Sequence, residues 1–102
     1  MTNLTSEQAI QSHLWMIVVV DQGGDQAEVQ ENEHAPLSEL LHKGLKALFG
    51  EPVPNSADYV LVIGGAEQTD LSKSLTAAGL HDHAEVMILP ADISRGHAWT
   101  TR

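Results

Sequence analysis

The 102-residue chain contains no cysteine. That excludes a disulfide framework, a thiolate metal site and a cysteine nucleophile. Basic residues are scarce: five Lys and Arg stand against fourteen Asp and Glu, for a formal net charge of −9. Such a surface repels nucleic acid and anionic lipid, and it suits solubility or a basic partner. The longest apolar run, Leu14 to Val20, is too short to span a bilayer, and no basic segment precedes it. Neither a membrane span nor a secretory signal is expected, and a cytoplasmic location follows. Gly23-Gly24 and Gly64-Gly65 are not followed by Lys-Ser/Thr or by a helix start, so neither is a phosphate loop. No nucleophile elbow is present, and the six histidines have no recognisable serine partner. His81-Asp82-His83 offers two imidazoles and a carboxylate, but with no further ligand at metal spacing it reads as a solvated turn. Neither catalysis, nor a cofactor, nor a metal is expected.

What is present is enough for one domain with a single core. Residues 1–13 are polar and weakly patterned and read as an N-terminal arm. Leu14 to Val20 (LWMIVVV) is β-branched and apolar at every position, which suits a central strand. If Gly23-Gly24 forms a two-residue hairpin turn, Val20 faces Ala27 and Val18 faces Val29. Met16, Val18, Val20, Ala27 and Val29 then share the core face, with Glu28 and Gln30 outside. Pro36 is placed as a first helical residue, Leu37, Leu40, Leu41, Leu45 and Leu48 recur at helical spacing, and Gly50 ends the run. Gly44 on the buried side marks a close approach of helix to sheet. Tyr59 to Ile63 and Val86 to Leu89 are two further apolar strands. Between them Leu71, Leu75 and Leu80 line an irregular or single-turn stretch. The order β-β-α-β-turn-β, with the first and last strands central and adjacent, predicts an α+β roll: a mixed sheet with one helix on one face.

The strings LVIGG and SLTAAGLHDHAEVMIL, with the order and spacing of the elements, resemble the second half of the ubiquitin fold. The resemblance runs from about Trp15 to Gly96 and rests on pattern rather than identity, and the chain is similar to small bacterial ubiquitin-like proteins. It implies a β-grasp domain over residues 14–90 and a C-terminal tail over 91–102. It also implies that Leu61, Ile63, Val86 and Ile88 face the core. Val62 and Leu89 fall where ubiquitin carries its exposed hydrophobic recognition patch, and Met87 stands in for the histidine at that patch's edge.

Two features carry the functional expectation. On the register above, Trp15, Ile17, Val19, Val60, Val62, Met87 and Leu89 lie together on the face the helix cannot cover. That exceeds the few hundred Å² of apolar surface a monomer usually exposes. It is either a binding surface for a protein partner or a second copy, with Trp15 as anchor, or a face covered by Leu4, Ile10 and Leu14 of the arm. The second feature is the tail. Ubiquitin-like modifiers are activated through a C-terminal glycine, and here Arg95-Gly96 sits at about that distance with six residues beyond it. The resemblance therefore implies a modifier served by a processing peptidase and an activating enzyme. The alternative is a non-covalent adaptor or subunit that docks through the sheet.

Overall fold

The computed structural model describes residues 14–91. The order is β1 (Leu14–Asp21), β2 (Gln26–Asn32), α1 (Leu37–Phe49), a 3-10 turn (Ser56–Asp58), β3 (Tyr59–Ile63), β4 (Ala66–Glu67) and β5 (Glu85–Pro90). The five strands form one sheet in the order β2-β1-β5-β3-β4. β1 and β5 are central and parallel, and the other pairings are antiparallel. The mixed sheet with one helix is the α+β roll expected from the sequence. The short β4, paired to β3 across Gly64-Gly65, is an addition to it.

The register of the β1–β2 hairpin differs from the expectation by one residue. Val20 pairs with Gln26, Val19 with Ala27, Val18 with Glu28 and Ile17 with Val29. The cause is the turn, which uses three residues (Gln22, Gly23, Gly24) between Asp21 and Asp25, whose backbones bond at 2.9 Å. Gly24 N–H donates to Asp21 O at 3.1 Å, and positive φ in this turn falls on Gly24 (+92°) and not on Gly23. The Asp21 carboxylate holds this shape by accepting from the Gly23 N–H at 2.8 Å and the Asp25 N–H at 3.0 Å. A three-residue loop with its last residue left-handed is the next most common hairpin connection after the two-residue kind. β2 keeps its expected parity, with Val29 buried and Glu28 exposed. The strand that turns over is β1, whose unbroken apolar sequence imposes no parity of its own.

α1 covers one face of the sheet. Leu37, Leu40, Leu41 and Leu45 are fully buried against Ile17, Val19, Leu61, Val86 and Ile88. Gly44 lets the helix come close: a Cβ there would lie 2.5 Å from Ile88 Cδ1 and 3.2 Å from Val19 Cγ1. Pro36 is extended (φ −74°, ψ 154°) and precedes the helix rather than starting it. With no side-chain cap, the first helical N–H groups donate to the 70–80 loop, Leu37 to Lys73 O at 2.8 Å and Ser38 to Leu71 O at 3.0 Å. That loop fastens itself by burying Leu75 and Leu80 in the core, with Leu71 half-buried beside them.

One charged side chain is taken into this layer. Glu31, 1% exposed, follows Val29 on the helix side of β2 and faces Trp15. Lys43 of α1 reaches its Oε1 at 3.1 Å, and Glu31 Oε2 has no hydrogen-bond partner among the described residues. Burial pushes the Glu31 carboxyl above its ordinary range, and the Glu39 carboxylate adds to the push. The Asn32 amide and the Lys43 ammonium pull it back only in part.

Candidate docking surface on the open face of the sheet

Side chains alternate across the strands, so the pairing registers decide which residues share the face opposite α1. One row reads Glu28–Val18–Glu85 across β2, β1 and β5. The next reads Gln26–Val20–Met87–Val62–Glu67 across all five strands. Beyond it Leu89 pairs with Val60, and on the other side Met16 pairs with Gln30. Met87 is 39% exposed, and Met16, Val18, Val20, Val62 and Leu89 are half-buried. The seven apolar side chains expected on this face are present in number, but β1 supplies a different set.

Among the residues expected there, Val62, Met87 and Leu89 lie together on the open face. Val60 shares it but is only 3% exposed, and it stands outside the core cluster. Ile17 and Val19 are placed otherwise: both are fully buried under the helix. Trp15 follows their parity and packs, half-buried, against the core. Met16, Val18 and Val20 take their places. The turn sequence carried the signal that would have found them, because Asp at the first and Gly at the fourth position mark a turn over Asp21–Gly24. Arg95 and Gly96, and the arm residues Leu4 and Ile10, lie outside the described residues.

The edge of the face near Met16 is held by backbone. Met16 N–H donates to Asp82 Oδ1 at 2.8 Å, and His83 N–H donates to Met16 O at 2.7 Å, with His83 at φ +69°. Val18 N–H then donates to Ala84 O at 2.9 Å. Asp82 thus clips β1 to the segment entering β5, and β1 and β5 start in register. Among the described residues no group of three or more His, Asp or Glu is placed to hold a metal ion, and no helix is long and apolar enough to cross a membrane.

No protein-family model and no curated protein matches the sequence. Solved structures do. The UBL domain of Plasmodium falciparum Dsk2 superposes with a TM-score of 0.61 at 16% identity, over 76% of this chain and 97% of that one. The ubiquitin of Caldiarchaeum subterraneum superposes with a TM-score of 0.62 at 19% identity, over 76% and 92%. The chain has the ubiquitin-like β-grasp fold expected from its sequence pattern. At these identities the likeness defines the fold and not the work it does.

Proposed function

We propose that this protein is a non-enzymatic, cytoplasmic ubiquitin-like protein of bacterial type that works by being bound, docking on protein partners through the open face of its sheet. The observation that supports this is the apolar row Val20–Met87–Val62 with Val18 and Leu89 beside it, on the face that α1 leaves uncovered. Side chains of this kind in a continuous strip are worth more removed from water than exposed, at about 25 cal/mol per Å² buried. The test is capture of partners from native cells by the full chain and by a Val62→Ser/Met87→Ser variant. Both substitutions are on partly exposed positions, so the fold should survive them, which circular dichroism would check. Loss of the same bound proteins supports the reading; unchanged capture sinks it.

The modifier reading adds covalent attachment to docking. Its support is Arg95-Gly96, which follows the end of β5 at Pro90 by a few residues. In this reading a peptidase cuts after Gly96 and an activating enzyme takes the new carboxylate. The intact mass of the protein from its own cells decides it. A mass ending at Gly96 with heavier adducts supports attachment, and a mass ending at Arg102 with no adducts removes it. A homodimer through the same face is the remaining arrangement, read by sedimentation against concentration.

A further inference from the structure

We infer that the segment received by the open face is cationic: an amphipathic stretch of a protein partner whose apolar side chains are flanked by lysine or arginine. This rests on the docking reading above and adds a sign of charge to it. Glu28 and Glu85 are both exposed and stand on either side of Val18 in the strand register. Glu67 closes the other end of the row through Val20, Met87 and Val62. The positive charges of the described residues are elsewhere. Lys43 and Lys46 are on α1, paired with Glu31 and Glu39 and with Glu51. Lys73 is in the loop that receives the helix start. The sheet therefore has an apolar centre and an acidic rim on one face, and its lysines belong to the other side.

That distribution discriminates among occupants. A second copy docked by the same face would bring its own Glu28 and Glu85 to this acidic rim, and like charges facing each other across an interface cost affinity. An acidic partner meets the same repulsion. A segment with basic side chains around an apolar ridge places each charge opposite its complement. Exposed rim charges contribute little to affinity singly, so the apolar row supplies the grip. The glutamates supply selection and rate of encounter, both of which weaken with salt.

The experiment uses the full chain and two synthetic amphipathic helical peptides of equal length, one of leucine and lysine, the other of leucine and glutamate. The lysine peptide is expected to move the amide resonances of Val18, Val20, Val62 and Met87. It should bind about tenfold or more tighter than the glutamate peptide at low salt, with the gap closing at high salt. Glu28→Gln/Glu85→Gln should weaken it roughly three- to tenfold. Ser38→Lys/Ala47→Lys makes the same change in net charge on exposed helix positions and should leave binding within about twofold. If the two double variants act alike, the preference is a property of total charge and the inference fails while the docking reading stands. If Val62→Ser/Met87→Ser leaves both peptides bound as before, the docking reading fails as well. Tenfold tighter binding after deletion of residues 92–102, which carry Arg95 and Arg102, would make the chain's own tail the occupant and overturn a separate partner. A dimer strengthened by Glu28→Gln/Glu85→Gln would do the same in favour of a second copy.

Discussion

The chain turns twice on a Gly-Gly pair, and the two pairs do different things. At Gly64-Gly65 both glycines have positive φ (+59° and +83°), and the flanking Ile63 and Ala66 pair directly. That is a two-residue hairpin of the primed kind. At Gly23-Gly24 only the second glycine is left-handed, and Gln22 joins the loop. The difference lies in the residue that comes before. Asp21 can accept two backbone N–H bonds from the turn, and it draws an extra residue into it. Ile63 has no such group. A glycine pair permits a tight turn, and its neighbours decide how many residues the turn consumes. One residue more or less is the difference between a side chain in the core and one facing out.

The extra turn residue has its largest consequence on β1. Ile17→Ala should cost about 2–5 kcal/mol of stability, as a fully buried aliphatic truncation does. Val18→Ala, next along the strand on the open face, should cost under about 1 kcal/mol. Chemical denaturation of the two variants reads the register directly, and comparable losses, or the reverse order, would restore a two-residue turn.

A smaller effect separates the glycines. Gly24→Ala should destabilise by about 1 kcal/mol or more, because its φ is unfavourable to an L side chain, whereas Gly23→Ala should be tolerated. At the other turn Gly64→Ala and Gly65→Ala should both be costly, so thermal midpoints of the four variants should fall into one tolerant and three sensitive positions. Asp21→Ala should cost roughly 0.5–1.5 kcal/mol by leaving two amides to solvent. It should also raise backbone mobility in the hairpin on NMR time scales while leaving the Gly64-Gly65 turn unmoved.

The smallest effect concerns Glu31, which the β2 parity carries to the covered side. Its carboxyl is raised above the ordinary 4.5 by burial. Its ionisation therefore favours folding less than its protonated form does. The contribution is fully present below about pH 4.5 and is lost as pH rises through the raised folded value. Glu31→Gln, which cannot ionise, should gain stability relative to the parent as pH rises through that window and keep the gain at neutral pH. Below it the two should converge. A parent that stays ahead of Glu31→Gln at neutral pH would mean that the Lys43 contact outweighs the cost of burial.

Much of this molecule was legible along the chain. Leucine spacing located α1, the apolar runs located β1, β3 and β5, and Gly44 announced where helix and sheet would touch, because each of these signals is local and periodic. Alternation also placed Val62, Met87 and Leu89 on the open face, since β3 and β5 sit in fixed order against the core-facing Leu61 and Ile88. β1 was different. A strand apolar at every position can bury either set of side chains, so its own residues cannot say which. Only pairing with β2, through the length of one turn, buried Ile17 and Val19 and brought Met16, Val18 and Val20 to the surface. The acidic rim follows the same rule: Glu28 and Glu85 are distant in sequence and become a pair around Val18 only once β1 lies between β2 and β5. Composition and periodicity determined the elements and the ubiquitin-like roll. The makeup of the surface that meets a partner was decided by strand register, a property of the assembled sheet.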